Sequence, residues 1–293
     1  MQEKMLGGLS IKELAARTWR EANEDNIFGR AAELAYYFLL ALFPMLIFLT
    51  SLVGFLPGAQ EGILDAVAKA APSDAMTLVR ETLNDVVSNR SGGLISFGIL
   101  GTIWAASSGT AAVMEALNDA YEAEEGRGFI KVRLLAIGMT VALALLIVGG
   151  TALIMFGDRF AHWIAVASGL GPTFETVWHY VDYVLGLALI SLGLQVIYYF
   201  GPNLKQDWEW VTPGAIVAVV ALIIVSLLFS LYLRFAPSYS ATYGSLGAVI
   251  ILMLYLYLIG LVVLVGAEIN SEIRKANHIP TVEKEPSNDL KAA

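Results

Sequence analysis

Apolar residues in this chain gather in six long runs, each closed by polar residues or by Gly and Pro. The runs are Leu34–Leu56, Leu94–Leu117, Val132–Phe156, Val177–Phe200, Val211–Phe235 and Leu246–Ile269. A bilayer core roughly 30 Å thick is crossed by about 20 apolar residues in a helix that rises about 1.5 Å per residue. In lipid each backbone N–H and C=O must be paired within its own segment, so runs of this length predict helices. The expected fold is all-α, a polytopic membrane protein with six transmembrane helices. Composition agrees: 57% of the residues are hydrophobic, 15% are charged and the mean hydropathy is +0.67. A chain this apolar has too little polar surface to stay dispersed in water.

The polar segments between the runs predict orientation. Lys and Arg favour the cytoplasmic side of short loops. Lys4, Lys12, Arg17, Arg20 and Arg30 precede the first run; Arg127, Lys131 and Arg133 follow the second; Lys205 follows the fourth; Arg274, Lys275, Lys284 and Lys291 follow the last. The opposite side holds only Lys69, Arg80, Arg90, Arg159 and Arg234. Both termini are therefore expected in the cytoplasm. Location of charge decides this, whereas the net charge of −8 says little. The polar first thirty residues lack the short apolar core of a cleaved signal peptide.

Three segments outside the runs have their own character. Ile11–Glu24 reads as an amphipathic helix, with Leu14, Ala15 and Trp19 near helical spacing and Lys12, Arg17 and Arg20 between them. It either lies at the inner interface or packs on the bundle. The external loop Pro57–Gly93 carries two amphipathic patterns and is expected to be helical, as a functional element or as a cap. The chain after Ile279 is polar with Pro280 and Pro286 and is expected to be disordered. The expected organisation is an interfacial segment 1–30, a transmembrane domain 31–275 containing the loop 57–93, and a tail 276–293.

Ionisable and polar groups at membrane depth are costly, which makes each a candidate for function. Glu33 stands at the start of the first run beside Tyr36 and Tyr37, and Pro44 falls inside it. A proline there removes a backbone hydrogen bond, and the resulting kink either opens a cavity or is a packed bend. Glu115, Asn118 and Asp119 share a helical face near Tyr121, and Glu268, Asn270 and Glu272 close the last run. Cations of the neighbouring loops are the plain partners for these carboxylates. Arg234 and Asp182, at the outer end, either pair, snorkel to the interface or receive a phosphate. Gln195 suits an interhelical hydrogen bond. Trp104 stands among small residues from Gly98 to Ala112, a composition that suits close helix packing or a thin pathway wall. Tyr243 opens the last run within Tyr243-Gly244-Ser245.

Several motifs together resemble the YihY/BrkB family of bacterial inner-membrane proteins. They are Leu34-Ala35-Tyr36-Tyr37-Phe38 through Phe43-Pro44, Ala116-Leu117-Asn118-Asp119-Ala120-Tyr121, Thr212-Pro213-Gly214-Ala215, Tyr243-Gly244-Ser245-Leu246-Gly247-Ala248 and Gly266-Ala267-Glu268-Ile269-Asn270. The resemblance covers about residues 10 to 275 and implies a six-helix protein of the cell inner membrane. It also implies an arginine just before Gly109, where this chain has Ser108, so a role for that cation does not carry over. The family has been labelled a ribonuclease and a virulence factor, and envelope lipid transport is the activity the resemblance suggests.

The residues themselves speak against the nuclease label. The chain has no Cys and only His162, His179 and His278, far apart and in no ligand spacing. Clustered His and Asp ligands and a basic face for phosphates are not found in the sequence. Neither a Walker loop, a dinucleotide-binding turn nor a Gly-x-Ser-x-Gly elbow occurs. The expectation is a protein that is not an enzyme, uses no cofactor or metal, and has membrane lipids rather than nucleic acid as partners. It would serve as a transporter or flippase for an envelope lipid or other amphiphile. The alternative is a non-transporting scaffold that recruits envelope-assembly proteins.

Overall fold

Long apolar stretches free of strand punctuation fold as helices here, and strands are absent among the described residues. A computed structural model describes residues 7–53, 92–168, 171–235 and 238–277. Its helices are α1 (Ile11–Glu24), α2 (Ile27–Val53), α3 (Gly92–Ala120), α4 (Phe129–Ser168), α5 (Gly171–Phe200), α6 (Pro213–Phe235) and α7 (Ser238–Ala276). Four of the described segments are long and apolar enough to cross a membrane: Phe129–Leu153, Tyr180–Phe200, Pro213–Leu233 and Val249–Ala276. The first two expected runs fall on α2 and α3, apart from residues 54–56, which lie outside the described part. So does most of the expected external loop 57–93, together with the tail from residue 278.

The chain divides into two compact units. Unit 1 takes in residues up to Ala41, Ser107–Met139 and Leu194 onward; unit 2 takes in Leu42–Ala106 and Thr140–Gly193. Within unit 2, α4 and α5 pack closely, so that a methyl group added at Gly150 would touch Leu189 and one added at Gly193 would touch Leu143.

Unit 1 is built around α7. Its core joins Ala31 and Leu34 of α2, Ala116 and Leu117 of α3, Leu194 and Tyr198 of α5, Ala215 and Ala218 of α6, and Leu264 and Ala267 of α7. Small residues let these backbones approach, as membrane helices require when lipid offers no hydrophobic drive to associate. At Gly214 the approach is closest: an added methyl would overlap the Gly266 carbonyl oxygen and the Asn270 side chain. Away from that contact α6 is apolar all round. Only 6% of its most apolar window is buried, with Val220, Ile224, Leu227 and Leu228 facing outward. Such a helix is at home only in an apolar solvent.

The α1 helix has the expected bounds. Leu14, Thr18, Glu21 and Ala22 are buried, while Trp19 is 65% exposed. It packs against α7. Ser10 caps it, with the Glu13 backbone N–H donating to Ser10 Oγ at 3.3 Å and the Ser10 N–H donating to Glu13 Oε2 at 2.9 Å. This reciprocal capping box satisfies two otherwise orphaned donors. The docked face favours packing on the bundle, while Trp19 and Ile11 remain exposed.

Replacing Gly214 by Ala is expected to destabilise the protein by about 1–3 kcal/mol through overpacking against α7. Replacing Gly138, where nothing lies within 4 Å of the new methyl, should be neutral or stabilising. Thermal midpoints of both variants in lipid nanodiscs check this, and equal effects would refute the close α6–α7 contact.

Candidate functional site

The polar residues of unit 1 collect around the helix ends, where the backbone has groups to satisfy. The last four carbonyls of an α-helix lack intrahelical donors. At the end of α5 the Gly201 N–H donates to Ile197 O at 2.9 Å. Gln206 Nε2 donates to Tyr198 O at 2.7 Å and Tyr199 O at 3.1 Å. Arg127 supplies the rest, with Nη1 on Phe200 O at 3.3 Å and Nη2 on Gly201 O at 2.9 Å. Its guanidinium also grips Glu125, Nε to Oε1 at 2.8 Å and Nη2 to Oε2 at 2.6 Å. Burial pushes the Glu125 carboxyl up, but the bonds from Arg127 and Asn118 outweigh it and hold the group below its ordinary value.

Asn118 is the hinge pin of this corner. Its Oδ1 accepts from the Asn203 backbone N–H at 2.7 Å and its Nδ2 donates to Glu125 at 2.9 Å. Asn203 in turn donates through Nδ2 to Glu124 O at 2.9 Å. Tyr198 crosses from α5 to α7 and donates to Val263 O at 2.9 Å.

The start of α6 is closed with equal care. Pro213 occupies the first helical position, where a missing N–H costs nothing. Gly214 N–H donates to Asn270 Oδ1 at 2.8 Å and Ala215 N–H to Thr212 Oγ1 at 3.3 Å. The Thr212 hydroxyl also donates to Gln195 Oε1 at 3.2 Å and accepts from Asn270 Nδ2 at 3.0 Å. Residues of this corner border a cavity of about 630 Å³. Tyr121, Gln195, Thr212 and Asn270 line it together with the cations Arg127, Lys131, Lys205 and Arg274 and the carboxylates Asp207 and Glu209. Arg274 Nη2 donates to Lys205 O at 3.1 Å, while its buried Nε has no acceptor.

A second group of charges joins α1, α3 and α7. Lys275 Nζ reaches Glu122 at 2.7 Å, Glu21 at 3.0 Å and Glu272 at 3.0 Å, one carboxylate for each of its donors. Burial pushes the Glu21 carboxyl up, yet hydrogen bonds from Arg20 and Lys275 hold it below its ordinary value. Glu122 takes a left-handed backbone, φ 49°, just past the end of α3. That conformation disfavours a side chain with a Cβ, and its bond to Lys275 helps to hold it. Beneath this cluster Glu268 is fully buried and neither of its carboxyl oxygens has a donor. Its carboxyl instead meets that of Asp25, whose Oδ2 is also buried without a donor. Burial pushes the Asp25 carboxyl above its ordinary value. Asp25 also lines an open cleft of about 570 Å³ with Asn26, Arg30, Glu33 and Asp119.

The sequence candidates thus separate. Asn118, Tyr121, Gln195, Glu268 and Asn270 come together in unit 1. Glu33 pairs with Arg30 at 2.8 Å, and the same guanidinium reaches Glu115 at 3.5 Å and Asp119. Asn118 therefore does not share the exposed rim with Glu115 and Asp119 but turns into the core. Tyr36 is exposed, its ring edge-on to Tyr37 at 5.7 Å, and Pro44 lies inside α2. Trp104 is half exposed in unit 2. Asp182, also in unit 2, lies against Gly157, where a Cβ would collide with its carboxyl. The side chains of Arg234 and Tyr243 are outside the described residues. In place of the arginine expected before Gly109, Arg133 of α4 brings both terminal nitrogens to Ser108 Oγ at 3.3 Å. Sequence reasoning missed Asp25, Tyr198 and Asn203. The one signal for Asp25 was its place in the turn after an amphipathic helix.

Apolar helices with a closed polar corner at one end define a multi-pass helical membrane protein. The chain belongs to the family described as Virulence factor BrkB, which matches residues 18–290. It is 39% identical over 270 residues to the ribonuclease-like protein YfkH of Bacillus subtilis, covering 92% of this chain and 97% of that one. It is 26% identical to a UPF0761 membrane protein of Tolumonas auensis, over 90% of this chain and 86% of the relative. The same identity holds for a UPF0761 membrane protein of Rhodospirillum centenum, of whose length the match spans only 57%. No solved structure matches.

Replacing Asn118 by Leu should cost about 1–3 kcal/mol, because the Asn203 N–H is left buried without its acceptor. Hydrogen exchange at residues 201–206 should rise well above that in α6; unchanged protection there would refute the role assigned to Asn118. The raised Asp25 pKa also carries a sign. A carboxyl whose folded pKa lies above its unfolded value stabilises fully below the unfolded pKa and loses that contribution as pH rises through the folded one. The thermal midpoint of Asp25→Asn relative to the parent should therefore increase over the range above about pH 4, the ordinary aspartate value. A difference that stays flat over that range would refute the perturbation.

Proposed function

We propose that this protein is a transporter or flippase for an envelope lipid or other amphiphile, with the polar headgroup received in the 630 Å³ cavity. The observation that carries this reading is the cavity lining: four cations against two carboxylates, with neutral hydrogen-bonding groups, at the end of apolar helices. Arg and Lys suit a phosphate headgroup by charge-assisted hydrogen bonds. Arg127 is committed to Glu125 and to two carbonyls, so Lys131, Lys205 and Arg274 are the groups left to meet a ligand.

The reading takes α2 and α3 as spans beside the four apolar segments, six in all, in the bacterial inner membrane. Both termini and the cavity then face the cytoplasm, where loop cations concentrate. An aromatic group supports an interfacial level for the cavity. Trp208 meets Tyr199 at 5.0 Å and Trp210 at 5.6 Å, and Trp210 is exposed. Trp and Tyr favour that depth, with one end apolar and the other wet. The ribonuclease wording attached to the Bacillus relative is not carried to this chain. Among the described residues no group of acidic or His side chains is placed to hold a metal.

The test is reconstitution in liposomes with headgroup-labelled phospholipid and a membrane-impermeant quencher. Protein-containing vesicles should expose label that empty vesicles protect. The double variant Lys131→Gln, Arg274→Gln should slow this by roughly tenfold, the weight of one charge-assisted hydrogen bond. Vesicles that match empty ones would remove bulk phospholipid as cargo.

A further inference from the structure

Among the described residues of unit 1 Glu268 is fully buried, and nothing assigned so far uses it. Its side chain is 0% exposed and both oxygens lack a donor. An ionised carboxylate in that setting carries a large desolvation cost unless something positive compensates it. The nearest cation cannot serve. Lys275 spends its donors on Glu21, Glu122 and Glu272. What Glu268 does meet is the carboxyl of Asp25. Two carboxylates in contact repel, and the one hydrogen bond they can make to each other requires a proton on one of them.

We propose that Asp25 and Glu268 form a proton-binding site, a carboxyl pair that holds one shared proton at neutral pH and exchanges it with water through the cleft beside Asp25. The bookkeeping is simple: the loaded pair carries one negative charge, and release of the proton to water leaves two facing carboxylates. The ligand is the proton itself. Among the described residues no group of three acidic or His side chains is arranged to hold a metal.

The surroundings set the balance. Glu21 faces the pair from α1, Tyr121 and Glu122 from the segment after α3, and Lys275 from α7. With Lys275 neutralised by its own partners, the field at the pair is negative, which favours retention of the proton. The cleft supplies the path. Asp25 lies on its wall with Asn26, Arg30, Glu33 and Asp119, so the outer member of the pair is reached without unfolding while Glu268 stays sealed behind it. Losing the proton would load repulsion onto the contact of the α1–α2 turn with α7, and α1 docks on that same stretch of α7. The site goes beyond the transport reading and does not depend on the identity of the cargo.

The test follows the protonated-carboxyl C=O band by infrared spectroscopy on the full chain in lipid nanodiscs, stepped from about pH 5 to about pH 9. The parent protein should keep a protonated-carboxyl band at neutral pH, where ordinary Asp and Glu are ionised. Glu268→Gln should lose that band. Asp25→Asn should keep it at a shifted position, because the partner of Glu268 changes from carboxyl to amide. No band at neutral pH in the parent, a band that survives Glu268→Gln, or one whose position ignores Asp25→Asn would each overturn the proposal. None of these outcomes bears on whether lipid moves, so failure here and failure of the transport reading are told apart.

Discussion

Everything in unit 1 depends on finishing helix ends where water is scarce. A spanning helix satisfies its own middle, but its terminal N–H and C=O groups need partners from elsewhere. Here α5 ends and α6 begins within a dozen residues, so carbonyls and amides are exposed side by side. The chain answers with side chains brought from other helices: Arg127 and Asn118 for the α5 corner, Asn270 for the α6 start. Each of these residues ties one helix end to another helix. The polar corner is therefore both a set of caps and the means by which α3, α5, α6 and α7 are held in register.

The charges obey a stricter version of the same rule. Arg30 and Lys275 each gather several carboxylates, and each matches its donors to the acceptors around it. The local excess of acid over base then has to go somewhere. At the rim it stays near water, as with Glu115 and Glu33. In the interior it falls on Glu268 and Asp25, which are left facing each other. That pair follows from using up the neighbouring cation, and it differs in kind from the neutral amide caps two residues further along α7.

Much of this architecture was legible in the chain. The apolar runs foretold helices, and the α1 bounds followed from the amphipathic spacing of Leu14, Ala15 and Trp19. Asn118, Tyr121, Gln195, Glu268 and Asn270 stood out because polar groups at membrane depth need a reason. What spacing could not supply was direction. Glu115, Asn118 and Asp119 fit one helical face, yet Asn118 turns inward because Asn203 and Glu125 are there to receive it. In α1 the same limit applies: Trp19 is large and apolar yet stays exposed, while Glu21 meets Lys275 and takes the buried side. Asp25 was missed because its importance arises from a residue more than two hundred positions away. Partners distant in sequence leave no periodic trace.

Function enters through the geometry of α7. Successive residues of an α-helix step by about 100°, so positions two apart lie on nearly opposite sides. Glu268 accordingly faces α1 and Asp25, while Asn270 faces the start of α6 and lines the cavity. One turn of one helix thus presents the carboxyl pair on one side and the cavity on the other. A packed helix moves as a unit, because its neighbours tolerate discrete repacking better than continuous deformation. Any displacement of α7 driven from the Asp25 side must carry Asn270 with it, and with Asn270 the hydrogen bonds to Gly214 and Thr212 that shape the cavity wall. On the proposed transport reading, coupling between the carboxyl pair and the cavity needs no long pathway, since a single helical turn of α7 separates them.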